Sequence, residues 1–206
     1  LYSENGFNFE IAISYNEKAT GDLNTNFTYI ADSLMSNTAY WGTRREVRRP
    51  LFIFDTQEEL IELTQYTAAK MSLPADAFLV CNGNQSAAFT AADVAYSWVQ
   101  PSDGIWDASG MNWGDAYLDT SYARIDRQLD TGTLLFGLGS VWPGYDERNW
   151  TAGDEHWMSR QEVTVYNQTW EKVHANTENF ILPWCLIESW NDFNRATQIE
   201  PTQEYG

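Results

Sequence analysis

The stretch "RPLFIFDTQEELIELTQYTAAKMSLPADAFLVCNG", residues 49–83, reads as one strand–helix–strand unit. Its first apolar run, residues 49–55, is strand-length and does not alternate, the pattern of a strand buried on both faces. Thr56 followed by Glu59 is a capping box, in which each side chain satisfies a backbone N–H at a helix start. Leu60, Leu63 and Thr67 follow at helical spacing, and Pro74 lies beyond the helix end. A second apolar run, "AFLVCNG" at 77–83, supplies the next strand. Two strands joined through a helix lie parallel.

The same alternation continues in both directions. Strands are expected at 7–15 ("FNFEIAISY"), 104–110 ("GIWDASG"), 133–144 ("TLLFGLGSVWPG") and 180–192 ("FILPWCLIESWND"). Helices are expected at 26–37, 90–101, 114–129 and 155–177, the second of these framed by Thr90, Asp93 and Pro101. Six strand–helix alternations indicate a parallel α/β fold, either a (β/α)8 barrel or an open doubly wound sheet. The phosphate fingerprints of the open sheet, GxGxxG and GxxxxGK[ST], are absent, so the (β/α)8 TIM-type barrel is favoured. Six βα units of eight leave about two missing, and the N-terminal ones are the simplest to lose. Residues 1–206 then form a single barrel domain, the C-terminal two-thirds of it. No initiator Met or signal peptide opens the sequence at Leu1, which reads as a mature product or a fragment.

Composition narrows the partners. Twelve basic residues against 29 acidic ones give a net charge of −17. Such a surface repels nucleic acid and anionic lipid, and no apolar run of about 18 residues could span a membrane. Trp is over-used, with 10 residues beside 11 Tyr and 10 Phe, and large aromatics suit either a core or the faces of sugar rings. Cys81 and Cys185 each sit inside an apolar run and read as buried thiols, with a disulfide left open. Asn26, Asn84, Asn149 and Asn167 each begin an Asn-x-Ser/Thr sequon, which points to an extracellular or secretory-pathway glycoprotein. His156 and His174 fall in one helix candidate and read as surface histidines, so no metal site and no cofactor is expected. The basic run "RREVRR", Arg44 to Arg49, precedes a strand and reads as a solvated turn or a contact patch.

In a barrel the active site lies at the C-terminal ends of the strands. Those ends carry Glu17, Asp55, Asn82 to Asn84, Asp107, Trp142 to Glu147 and Glu188 to Asp192. Acids, amides and indoles on one rim describe a sugar site better than a phosphate or hydride site. Alternation along the last strand puts Glu188, Trp190 and Asp192 on one side, with Ser189 and Asn191 opposite. Glycoside hydrolysis needs two carboxyl groups across the scissile bond, and Glu188 with Asp192 could be that pair. Either acid could instead be a structural partner of Arg195.

These residues resemble a known family. "SWNDFNRATQIEP" (189–201) is similar to the C-terminal signature of glycoside hydrolase family 99, and "GSVWPGYDER" (139–148) to its aromatic-Pro-Gly-aromatic-Asp segment. "RRPLFIFD" resembles its Arg-Pro-apolar strand, and Arg160, Tyr166 and Trp170 fit its following helix. The resemblance implies a (β/α)8 barrel and a retaining endo-glycosidase acting on α-linked, mannose-containing glycans. It implies catalysis through the substrate's 2-hydroxyl, with one carboxylate removing that proton and a carboxyl three residues later protonating the leaving group. The first position maps to Asp192, one methylene shorter than the family's Glu. The second maps to Arg195, a guanidinium that stays protonated at any working pH. Two expectations follow: an endo-glycosidase in which Glu188, Asp146 or Glu147 replaces the lost acid, or a catalytically degenerate barrel that binds glycan or serves an extracellular assembly. In either, Trp142, Tyr145, Asp146, Trp190, Asn191, Arg195, Glu17 and Asp55 would contact a glycan or polysaccharide.

Overall fold

The computed structural model describes residues 12–16, 22–37, 39–41, 49–54, 63–83, 91–148, 156–177, 182–201 and 203. The chain divides into two compact units, Leu1–Ala95 and Tyr96–Gly206.

In the first unit β1 (Ile13–Asn16), β2 (Arg49–Phe54) and β3 (Ala77–Asn82) lie side by side, followed by β4 (Val94–Tyr96) at the boundary. Both resolved registers are parallel, with Ile13 opposite Leu51 and Arg49 opposite Ala77. Leu51, Ile53 and the run Ala77–Cys81 are buried, as strands covered on both faces require. Helix α1 (Leu23–Tyr29) starts at Asp22, whose carboxylate accepts from the Thr25 N–H at 2.9 Å. A π-helical turn, Ile30–Met35, continues it.

Arg49 closes the basic run but belongs to β2. Its guanidinium grips the Asp76 carboxylate and donates to the Met35 carbonyl at 3.0 Å, tying three segments at the base of the sheet. The bond to Asp76 holds that guanidinium above the usual arginine range. The remainder of the run, residues 44–48, lies outside the described residues.

Helix α2 (Leu63–Lys70) forms where a helix is expected, but it buries Tyr66 and Ala69 while Thr67 is exposed. The helical spacing is present, with its buried stripe one residue earlier than the sequence suggests. The capping box at Thr56 and Glu59 lies outside the described residues.

The second unit carries the end of β4, then β5 (Phe136–Val141) and β8 (Trp184–Ile187) in that order. β5 and β8 are parallel, Leu138 opposite Trp184 and Val141 opposite Ile187. A small antiparallel pair, β6 (Tyr145–Asp146) and β7 (Trp157–Met158), follows β5. Helix α3 (Asp115–Asp130) buries Leu118, Ser121, Tyr122 and Ile125, one stripe at i, i+3, i+4 and i+7. Helix α4 (Thr164–Thr177) buries Val165, Thr169 and Val173. It approaches β5 closely because residue 139 is glycine: a Cβ there would stand 2.7 Å from Val173 Cγ1. Lys172 of α4 reaches Asp115 at 2.5 Å and Asp119 at 2.7 Å on α3.

Three expected elements are corrected. The segment 90–101, read as a helix, contains strand β4, whose Val94, Ala95 and Tyr96 are all buried. A short apolar run buried on every side has no amphipathic period to distinguish the two states. Residues 104–110, read as a strand, form a loop after a 3-10 turn at Ser102–Gly104. There Asp107 accepts from the Ser109 N–H at 2.7 Å and the Asn112 N–H at 2.9 Å, and its bond to the Ser109 hydroxyl leads in holding its carboxyl below the usual range. Gly110 closes that loop with φ +65°, where any Cβ would collide with the Trp157 ring. The expected strand 180–192 ends at Ile187.

β8 also differs from the other strands in burial. Trp184 is 44% exposed and Ile187 40%, although the sequence "WCLI" is as apolar as any strand here. It stands last in the strand order, with β5 as its neighbour. Neither Cys81 nor Cys185 is in a disulfide.

Candidate functional site

The second unit's site is built on two chain segments, Trp142–Arg148 after β5 and Glu188–Pro201 after β8. Beyond Ile187 the backbone folds back on itself. The Asp192 N–H donates to the Ser189 hydroxyl at 3.4 Å, and the N–H groups of Ile199 and Glu200 donate to the Trp190 carbonyl at 3.0 and 2.9 Å. Glu188, Trp190 and Asp192 therefore do not share a strand face: Glu188 is 9% exposed and Trp190 59%.

Arg195 is the hub. Its Nε donates to Glu147 Oε1 at 3.1 Å and its Nη1 to Asp192 Oδ2 at 3.3 Å. Its backbone N–H donates to Asp192 Oδ1 at 3.3 Å, and its carbonyl accepts the Asp146 N–H at 2.8 Å. Burial works against the guanidinium's charge, but the bond to Glu147 and the nearby Tyr145, Asp192 and Glu147 outweigh it and raise it above the usual arginine range. Tyr145 lies against the same group, and burial followed by its bond to Glu147 pushes its phenol well up. His156 places Nδ1 3.9 Å from Glu147 Oε2. It stands ahead of β7, not on a helix, and stacks with Trp106, which also stacks with Tyr145, each at 5.1 Å between centroids.

A second ion pair lies beside the first. Arg148 donates to both oxygens of Asp146, at 2.9 and 2.7 Å, and its guanidinium lies 4.1 Å above the Trp157 ring. That pairing holds the Asp146 carboxyl below the usual range. These residues border a cleft of about 640 Å³ whose walls include Tyr145, Asp146, Arg148, Trp157, Arg160 and Tyr166. Arg160 donates to the carbonyls of Ala196 and Gln198 at 3.1 and 2.7 Å, fastening the tail of the second segment to the cleft wall. Three cleft-lining residues that are not glycine, Gln161, Glu162 and Ala196, hold left-handed φ of 48°, 62° and 51°. Each such residue costs about 1–2 kcal/mol that the surrounding bonds must offset.

The sequence candidates are thus distributed unevenly. Asp192, Arg195, Tyr145 and Asp146 come together, and Trp190 and Asn191 are exposed in the same loop. Trp142 is corrected to a core residue: it is fully buried, and its indole N–H donates to the Trp113 carbonyl at 3.2 Å, so no sugar can stack on it. Glu188 is buried among Tyr122 and Cys185 and is not part of the cleft wall. Glu17, Asp55, Asn84 and Asn149 lie outside the described residues. Asn167 is exposed on α4, whereas the Asn26 amide donates to the Tyr15 hydroxyl at 2.9 Å. Among the described residues no group of three or more His, Cys, Asp or Glu could hold a metal ion, and no helix is long and apolar enough to cross a membrane.

Trp106, Trp157 and His156 carry no signal in the sequence that marks them for the site, and Arg148 is visible only as the end of the 139–148 segment. Each joins it through partners distant along the chain or across the β6–β7 pair.

No protein-family model matches the chain, and no curated protein matches it. Solved structures do. The GH99 endo-α-mannosidase from Bacteroides thetaiotaomicron is similar over 93% of this chain and 56% of its own, with a TM-score of 0.66 and 16% identity. The same enzyme in complex with bis-tris-propane gives the same score and identity over 60% of that chain. A glycoside hydrolase-like protein matches at a TM-score of 0.58 and 13% identity, covering 88% of this chain and 54% of its own. The likeness shows the fold expected from the sequence, a partial (β/α)8 barrel of GH99-like type. The chain spans less than two-thirds of the structures it matches.

Proposed function

We propose that this chain is a glycosidase-type scaffold that binds α-linked, mannose-containing glycan at the cleft and does not cleave it. The observation that carries this reading is Arg195, locked between Glu147 and Asp192 at the position where the resemblance expects a proton donor. Hydrolysis of a glycoside needs an acid to protonate the leaving oxygen, a contribution of about 10²–10⁴-fold. A guanidinium cannot supply that proton. Asp146 is kept ionised by Arg148, and Glu147 and Asp192 both accept from Arg195. Glu188 is buried outside the cleft wall.

Binding needs none of these protons. A cleft of about 640 Å³ lies in the range of small-ligand sites, and Tyr145, Trp157 and Tyr166 give it aromatic surface beside charged hydrogen-bonding groups. Trp190 and Phe193, 59% and 55% exposed, add open aromatic faces on the neighbouring loop. The activity of the matched enzyme, an endo-α-mannosidase, supports α-mannosides as the ligand class. The exposed Asn167 sequon supports an extracellular chain; intact mass before and after deglycosylation tests that part.

The central test is calorimetric titration and product analysis on α-mannans and high-mannose glycans, with wild type and Arg195→Glu side by side. The expected result is binding without product by the wild type, and slow release of oligosaccharide once residue 195 is a carboxylic acid. Oligosaccharide release by the wild type, abolished in Asp192→Asn, would overturn the reading, as would the absence of binding to every glycan.

A further inference from the structure

Glu188 is a buried acid of the second unit that the proposed glycan site does not use. It follows β8 directly, its N–H donating to the Val141 carbonyl at 3.2 Å, so its backbone is fixed by the strand end. The side chain is directed into the core. Both carboxyl oxygens are out of contact with solvent and have no hydrogen-bond partner among the described residues. A buried polar group without a partner is uncommon and calls for an explanation.

The neighbouring groups explain why no partner comes. The Tyr122 hydroxyl, from α3, accepts from the Ser140 N–H at 3.1 Å and donates back to the Ser140 carbonyl at 3.5 Å. The Cys185 thiol, from β8, donates to the Leu186 carbonyl at 3.6 Å. These are the titratable groups that face Glu188, and among the described residues no cation pairs with it. Burial chiefly, with a contribution from Glu188 itself, pushes the Cys185 thiol up to about 12 and the Tyr122 phenol higher still. Both therefore stay neutral through the physiological range, and neither offers a positive charge.

We infer that Glu188 is held in the folded core as a neutral carboxylic acid, and that its ionisation is a pH-sensitive switch on the stability of this unit. Burial in the same surroundings pushes its carboxyl well above the usual carboxylate range. The direction follows from proton linkage. The folded state keeps a proton that the unfolded chain gives up near pH 4.3. Stability from this group is complete below that pH and is lost progressively as pH rises toward the folded value. The acidic surface acts in the same sense: a net charge of −17 at neutral pH repels itself and shrinks as carboxylates protonate. The chain is thus built to be firmest in mildly acidic surroundings.

Thermal unfolding of the wild type and Glu188→Gln from pH 4 to pH 8 tests this, because glutamine has the shape of the neutral acid and cannot ionise. The two should melt together at pH 4, and the wild type should fall progressively below the variant as pH rises. Each tenfold change in the carboxyl's acidity corresponds to roughly 3–5 °C in Tm for a chain of this size. Parallel Tm curves across the whole range would overturn the inference. Should Glu188→Gln not fold, glutamate δ-carbon NMR on the wild type decides instead. One resonance that keeps its protonated shift at neutral pH is expected, and titration of every glutamate near pH 4–5 overturns the proposal. Neither readout depends on glycan binding.

Discussion

Glu188 and Asp192 are acids four residues apart after the same strand, and their environments are opposite. Glu188 is shielded from solvent with no hydrogen-bond partner among the described residues, while Asp192 is about a quarter exposed and accepts twice from Arg195. Between them the chain leaves β8 and turns at Ser189. A carboxyl at the first position is tolerated because it can keep its proton. A carboxyl at the second is met by a guanidinium. The contrast teaches that proximity in sequence to a catalytic motif says little about protonation; burial and the nearest cation decide it.

The sharpest way to break this comparison is to place a positive charge at each position in turn. Glu188→Lys should cost about 3–5 kcal/mol, the scale of an uncompensated buried charge. Asp192→Lys should cost about 1 kcal/mol, since its neighbourhood is partly wet and Glu147 remains to meet Arg195. Urea midpoints of the two variants check this, and equal losses would show that the two acids share one environment.

Arg195→Ala comes next, at about 1–2 kcal/mol, between the exposed and buried ion-pair limits. The loss arises mainly at Glu147, whose side chain is only 14% exposed and is left with the His156 imidazole, Nδ1 at 3.9 Å. Thermal unfolding in low and high salt separates this from lost packing, because only the ionic part shrinks as salt screens it.

The division between what the sequence reveals and what it conceals follows the same physics. Parallel strands buried on both faces leave continuous apolar runs, so β2, β3 and β5 were legible, and with them the barrel class. β4 was not, because three buried residues carry no period. The 104–110 loop was misleading because its Ile105 and Trp106 look like a strand while the bonds of Asp107 and Asn112 hold a turn. At the site, Asp192 and Arg195 were visible in one motif. Glu147 gained its role only through Arg195, 48 residues away in sequence, and Trp142 lost its expected role because burial is not encoded in residue type.

Ala196 offers a change of opposite sign. Its φ of 51° favours glycine, and nothing but the methyl group argues for alanine there. Ala196→Gly should raise stability by up to about 1 kcal/mol, the relieved strain less the extra chain entropy. A fall in the urea midpoint would mean that the methyl packs usefully in the cleft wall.

Asp146→Asn should be smaller again and should disappear in acid. Arg148 holds the Asp146 carboxyl below its usual range, so its contribution is present above the unfolded value near pH 4 and disappears as pH falls through the folded one. Because Arg148 is 46% exposed, solvent screening limits the effect to a few tenths of a kcal/mol. The variant's stability should differ from the wild type at pH 6 and converge with it as pH falls through the folded value. The sign is opposite to that of Glu188→Gln: as pH rises the wild type gains on Asp146→Asn and falls below Glu188→Gln, so the two carboxyls can be told apart in one set of melts.

The smallest expected effect on stability belongs to Trp190→Ala, within about 0.5 kcal/mol for a side chain 59% exposed. Its backbone carbonyl accepts from Ile199 and Glu200, and alanine keeps both bonds, so the loop retains its course. If the exposed indole is a sugar platform, its truncation should weaken glycan binding by more than 1 kcal/mol, at least fivefold in Kd, with Tm unchanged. That separation of binding from stability is what a large aromatic held open to solvent predicts. An equal Kd would move the ligand away from the loop and into the Tyr145–Trp157 cleft, where Tyr166→Ala becomes the informative change. A lowered Tm with unaltered binding would instead assign Trp190 a packing role in the loop that follows β8.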